Sequence, residues 1–217
     1  MEQFFRDISN RILSKVKSDE DLMINFWGEN SHFTRFNNSK VRQNGFVSDA
    51  TMSISLISNQ KTCSTSFSIS KNLETDYAKA IRHLNSLRGE IVYLPEDPFI
   101  VFPKSGQSST NHNNGQLLSY KNVVEVLSPV INDVDLAGIW ASGDIYVGYA
   151  NSKNLFHWFE TESFSFDYSL ITESERMVKD TFAGTHFNEQ SYNKFMHNSK
   201  NQLKLLEKDP VKIKPGD

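Results

Sequence analysis

Apolar residues recur every three or four positions from Phe5 through Ile8 and Ile12 to Val16. That spacing predicts a helix of about 15 residues with one buried stripe. From Leu22 the period changes to two and stays there to Ile69. His32, Thr34 and Phe36 alternate with Phe33 and Arg35. Ala50, Met52, Ile54 and Leu56 alternate with Asp49, Thr51, Ser53 and Ser55, and Cys63, Thr65, Phe67 and Ile69 alternate with Ser64, Ser66 and Ser68. Such alternation predicts half-buried antiparallel strands. Their turns fall at Asn37-Asn38-Ser39 and Ser58-Asn59-Gln60.

Residues 75 to 88 return to helical spacing, with Tyr77, Ile81, Leu84 and Leu87 inward and Gly89 at the helix end. The stretch 103 to 116, PKSGQSSTNHNNGQ, has no apolar period, which predicts a mobile polar loop with His112 solvated in it. Val123, Val124, Leu127, Val130, Ile131 and Val134 predict a third helix, kinked or ended early by Pro129. Residues 136 to 142, 145 to 150, 154 to 170 and 176 to 183 read as a second meander. A last helix follows from about 188 to 206, with Tyr192, Phe195, Met196, Leu203 and Leu206 inward.

The two meanders match. Asn38-Ser39-Lys40 corresponds to Asn151-Ser152-Lys153 at an offset of 113, and Ser55-Leu56-Ile57 to Ser169-Leu170-Ile171 at an offset of 114. Between them Ala50, Met52, Ile54 and Leu56 fall on Phe164, Phe166, Tyr168 and Leu170, inward on inward. The pattern predicts an α+β fold built as a duplicated unit: an antiparallel β-meander with long strands flanked by helices, repeated over about 1–90 and 118–208. The domain then covers 1–209, and 210–217 reads as a linker. Asn44-Gly45 alone would signal a hairpin turn. Its equivalents in the second copy, His157-Trp158, favour no such turn. A continuous strand bent at Asn44-Gly45 is the expectation, with the turns at Asn37-Asn38-Ser39 and Ala150-Asn151-Ser152.

Composition narrows the function classes. A chain of 217 residues with 38% hydrophobic content and 16 Phe buries a core without disulfides. Net charge is −3 with no block of Lys or Arg, which gives no reason to expect nucleic acid as a partner. The N-terminus lacks an apolar h-region, and no 18-residue apolar run exists, so no membrane span is expected. The single Cys63 lies in an alternating strand, where a small buried residue is expected; its use fits a cytoplasmic setting.

The motifs of hydrolytic chemistry are missing. H-E-x-x-H places two His one helical turn apart to hold zinc, and no such spacing occurs. Neither C-x-x-C, G-x-S-x-G, a P-loop nor G-x-G-x-x-G is present. No catalytic or metal-binding residue is therefore expected in this chain. Glu160 and Glu162 share a strand face and read as solvated or edge-protecting. The polar residues around the matched turns remain: Arg35, Asn38, Arg42 and Gln43 in the first copy, Asn151 and Ser152 in the second. They either contact a peptide, whose carbonyls Arg and Asn can hold beside an exposed strand edge, or simply build the turns.

S-H-F-T-R-F-N-N-S-K-V-R-Q-N-G at 31 to 45, with Y-A-N-S-K at 149 to 153 and the following F-x-F-D-Y-S-L, resembles the N-terminal domain of the TldD/PmbA (TldE) family. Members of that family are also called modulators of DNA gyrase. The resemblance runs from about residue 4 to 217, with Asn154 standing where the family often has Gly. It implies a domain of a cytoplasmic metallopeptidase system, a hydrolase of unfolded polypeptides or peptide precursors. The domain would contribute a subunit interface and a peptide-chamber wall, in a homo-dimer or in a hetero-dimer with a related subunit. The family's H-E-x-x-x-H lies in a C-terminal domain that this sequence does not match. The resemblance thus implies no cofactor in this chain, with zinc in that further domain if the subunit is TldD-like. The alternative is a freestanding, non-enzymatic peptide-binding or assembly module.

Overall fold

The computed structural model describes residues 1–103, 105–209, 211 and 216. The elements run α1 (Glu2–Leu13), β1 (Glu20–Asn37), β2 (Lys40–Ser58), β3 (Lys61–Ser68), α2 (Leu73–Glu90) and a short 3-10 turn (Ile91–Tyr93). After them come β4 (Ser109–Asn113), α3 (Val123–Ile131), β5 (Asp135–Asn151), β6 (Phe156–Ile171), β7 (Met177–Gly184) and α4 (Glu189–Leu206). The fold is α+β, and helix, three strands, helix occurs twice in order. The predicted linker 210–217 lies outside the described residues, apart from Val211 and Gly216.

The strands are ordered β3-β2-β1-β5-β6-β4, with β7 also paired to β6. They contribute to two compact units. The first comprises Met1–Asn30, Ser48–Asn113 and Asp144–Thr161; the second comprises Ser31–Val47, Asn114–Gly143 and Glu162–Asp217. Each unit thus holds the helices of one repeat together with the hairpin tip of the other.

In the first unit α1 and α2 cover the sheet. Phe5, Ile8 and Ile12 of α1 meet Leu22, Ile24 and Phe26 of β1, Ala50 to Leu56 of β2, and Phe156 and Trp158 of β6. The α2 stripe is Asp76, Ala80, Leu84 and Leu87. It is turned from the predicted one because Asp76 is drawn inward to accept from the Ser70 amide and hydroxyl, each at 2.9 Å. α2 ends at Glu90, one residue past Gly89, as predicted.

In the second unit α3 and α4 bury Val123, Leu127, Ile131, Tyr192, Met196 and Leu203 against Leu136, Trp140 and the β6 stripe Phe164 to Leu170. Pro129 sits inside α3, which ends two residues later. The inward residues matched between the repeats, Ala50 to Leu56 and Phe164 to Leu170, are at most 4% exposed. Burial of such alternating rows is the main stabilising term of a half-covered sheet.

One predicted continuity holds, and one predicted break is absent. β2 runs unbroken through Asn44-Gly45, as the comparison of repeats predicted. A Cβ on Gly45 would lie 3.0 Å from the Phe33 ring, so the glycine makes room for an aromatic cap on its own sheet. β5 is likewise one strand, not two; Gly143, at φ +153°, carries the chain through the polar Ser142-Gly143-Asp144.

The polar loop 103 to 116 is a correction. Its residues Ser109–Asn113 form β4, which pairs in parallel with His157–Thr161 of β6. Hydrophobic periodicity cannot reveal such a strand, because all five of its side chains are exposed. Backbone pairing holds it. His112 is not simply solvated: its Nε2 lies 3.1 Å from Glu2 and its Nδ1 3.4 Å from Glu160.

Among the described residues no helix is long and apolar enough to cross a membrane.

Candidate functional site

The matched Asn-Ser turns are built first from backbone demands. Asn38 and Ser39 both take positive φ, 49° and 54°, giving the two-residue loop that suits strand twist. The Ser39 amide donates to the Leu136 carbonyl at 3.0 Å, and its hydroxyl accepts from the Leu136 amide at 3.1 Å. In the other unit the Ser152 amide donates to the Leu22 carbonyl at 3.0 Å, and its hydroxyl accepts from the Leu22 amide at 3.1 Å. The same serine device closes both turns.

Asn151 is fully buried. Its Oδ1 accepts from the amides of Lys153 and Leu155, and its Nδ2 donates to the Pro103 carbonyl and the Tyr149 hydroxyl. Every hydrogen-bonding position of the side chain is therefore filled, three within the turn and its flanking strand and one by Pro103. Ser152 also donates to Asp21 at 3.1 Å. Of the six candidates, Asn151 and Ser152 thus serve the turn, and Asn154 completes it at φ +64°, where a glycine would also fit.

The others lie together in the second unit. Arg35 and Arg42 line one hollow of about 590 Å³ with Asn37, Gly138, Asp167, Tyr168, Ser169 and Lys179. Both arginines are exposed, and neither forms an ion pair among the described residues. Lys179 faces Asp167 at 3.5 Å, and Thr181 donates to the same carboxylate at 2.8 Å. Gly138 keeps the floor low: a Cβ there would lie 2.7 Å from the Tyr168 Cβ. Arg35, Arg42 and Lys179 outnumber the one carboxylate, Asp167, so the hollow is cationic on balance. Burial pushes the Tyr168 phenol up to about 12, so it stays neutral. Asn38 borders a different depression with Asp133, Asp135 and Glu173, and Gln43 is exposed on β2.

β2 has only β1 and β3 as neighbours among the described residues, and β3 pairs it from Thr51 to Ser58 alone. Lys40–Val47 is therefore an open edge, with Phe46 71% exposed. Phe46 and Tyr120 pack on His32 at ring distances of 5.0 and 5.5 Å. Burial lowers the His32 pKa, and its buried Nδ1 has no hydrogen-bond partner among the described residues. The sequence reading missed Asp167, Lys179 and Tyr120. The first two were legible as outward residues of alternating strands; Tyr120 follows the polar stretch and carries no pattern.

Among the described residues no group of three or more His, Cys, Asp or Glu is placed to hold a metal ion. Cys63 is buried, its pKa is raised by burial, and its Sγ approaches the Leu87 carbonyl at 3.5 Å.

No family model matches the sequence, and no curated protein matches it. Solved structures do. A protein from Thermotoga maritima, named as a candidate modulator of DNA gyrase, aligns with a TM-score of 0.65 at 13% identity, over 96% of this chain and 50% of its own. TldE from Thermococcus kodakarensis aligns at 0.66 and 11% identity, over 94% and 47%. A second candidate gyrase modulator, from Bacteroides thetaiotaomicron, aligns at 0.63 and 13% identity, over 97% and 51%. The chain spans about half the length of these structures and has the fold of that half.

Proposed function

We propose that this chain acts as a polypeptide-holding and subunit-contacting domain of a TldD/TldE-like peptidase system in the cytoplasm. The observation that supports this best is the fold match over nearly the whole chain to about half of TldE and of two relatives named for DNA gyrase. The family resemblance of the turn sequences points the same way. In this reading peptide bonds are cleaved elsewhere, by a zinc site in a further domain or related subunit. No catalytic step is assigned to residues of this chain.

The site geometry supports the holding role. An open strand edge supplies main-chain donors and acceptors to an extended polypeptide, and the Arg35–Arg42 hollow beside it favours acidic side chains. One segment also supports a subunit contact. Val92, Tyr93, Phe99 and Val101 are 60 to 87% exposed within ten residues of sequence. Exposed apolar side chains so close in sequence support a role in contacting a partner. We assign it to a like or related subunit.

The experiment is incubation of the 217-residue chain with unfolded casein, with mass spectrometry of the products and metal analysis of the protein. Intact casein and substoichiometric metal are expected. Fragments that accumulate in proportion to the chain, with zinc near one per chain, would overturn the assignment.

A further inference from the structure

The two units differ in one respect that the duplication makes visible. β1, β2 and β3 correspond to β5, β6 and β7. In the first unit the outer edge of β6 carries β4, paired in parallel from His157 to Thr161. In the second unit the corresponding edge belongs to β2, and no strand among the described residues lies on it. His157–Thr161 corresponds to Asn44–Ser48 at the offset of 113 that matches the turns and to Gln43–Val47 at the offset of 114 that matches the inward rows, so in either register it falls on this stretch of β2. One copy of the edge is filled by the chain's own polar segment, and the other is open.

We infer that Lys40–Val47 of β2 is the acceptor edge for one extended segment of a partner polypeptide, running parallel to β2 as β4 runs parallel to β6. This rests on the polypeptide-holding reading above and gives it a place. β4 shows what such an edge needs. Its five side chains are all exposed, so main-chain pairing and a few polar contacts suffice to hold it. One contact is the hydrogen bond between Ser109 Oγ and His157 Nδ1 at 2.8 Å.

The flanking residues define the segment's chemistry. Arg35 and Arg42 line the hollow that also holds Asp167 and Lys179, neither arginine forms an ion pair among the described residues, and Lys40 adds a further cation at the start of the strand. Like charges on adjacent strands repel, and a carboxylate from a third strand relieves them. Phe46, exposed at 71% beside Tyr120, supplies apolar surface at the other end of the edge. A parallel segment therefore places an acidic residue first and a bulky apolar residue within about five positions after it. A second copy of the same edge is disfavoured as the occupant, because Lys40–Val47 carries no carboxylate to set against Arg35 and Arg42.

The test uses the full 217-residue chain and the capped peptide Thr-Glu-Thr-Glu-Thr-Val-Leu-Thr, with Lys in place of Glu as the control. Amide hydrogen exchange and NMR report the site. Protection on adding the acidic peptide is expected within 40–47, with a nitroxide at the peptide's N-terminus broadening Val41 more than Val47. The basic control and the Arg42→Glu and Arg42→Gln variants should bind at least about tenfold more weakly. Equal binding of the two peptides, or the reverse broadening, overturns the proposal. Protection confined to other residues overturns this edge and leaves the holding role standing. No binding at about 1 mM peptide overturns both. Dimerisation through 40–47 without peptide also overturns it.

Discussion

Ser152 and Leu22, 130 positions apart, exchange two hydrogen bonds: amide to carbonyl at 3.0 Å and amide to hydroxyl at 3.1 Å. Ser39 and Leu136 repeat the arrangement. In each case a turn serine fixes the entrance of a long strand from the other repeat. Removing the hydroxyl leaves a partly buried amide without its acceptor, which costs about 1 to 2 kcal/mol. Ser39→Ala and Ser152→Ala should each lower unfolding free energy by about that much, and their effects should add. Denaturant melts of the single and double variants check this. A loss at one site only would mean that the two turns are not equivalent.

Asn154 occupies the left-handed region at φ +64°. A branched side chain there costs about 1 to 2 kcal/mol, whereas glycine carries no such penalty. Asn154→Val should destabilise by that amount, and Asn154→Gly should leave the melting midpoint unchanged or slightly raised. Thermal unfolding followed by circular dichroism distinguishes the two outcomes.

Gly138 packs under Tyr168. An added Cβ would stand 2.7 Å from the Tyr168 Cβ and 2.8 Å from the Asp167 carbonyl, both anchored in β6. Gly138→Ala should therefore cost about 2 kcal/mol by forcing the strands apart. It should also alter the hollow that holds Arg35 and Arg42. A variant of native stability would show that the strands separate without cost.

Glu20 and Arg88 form a largely buried pair in the first unit. The carboxylate accepts from Arg88 Nε and from an Arg88 terminal nitrogen at 2.7 Å each, and from the Lys17 amide at 2.9 Å. The Arg88 hydrogen bonds hold the Glu20 pKa below its ordinary 4.5, against the opposing effect of burial. An unfolded chain then binds this proton more readily than the folded one. The contribution is complete above about pH 4.5 and is lost as pH falls through the folded value. Arg88→Met should cost about 3 kcal/mol near neutrality. The difference between variant and parent should shrink below about pH 4.5. A gap unchanged down to about pH 3 would contradict the assignment.

The duplicated core was legible because both repeats carry the same period-two rows, Ala50 to Leu56 and Phe164 to Leu170, and burial follows those rows directly. The turns were legible through Asn38-Ser39 and Asn151-Ser152, since few residues accept positive φ. β4 was not legible. Ser109–Asn113 buries nothing, and its pairing partner lies 48 positions away along β6. The role of Asn151 was equally hidden. Nothing in its spacing distinguishes a side chain that contacts a peptide from one whose hydrogen bonds close a turn and tie it to Pro103. The open edge at Lys40–Val47 emerged only when β4 was seen on its counterpart.

The holding role is tested most directly by the fluorescence anisotropy of labelled, unfolded casein titrated with the 217-residue chain. A saturable rise is predicted, weakened by added salt because the cationic hollow contributes. Anisotropy that stays flat to about 1 mM chain would contradict the account.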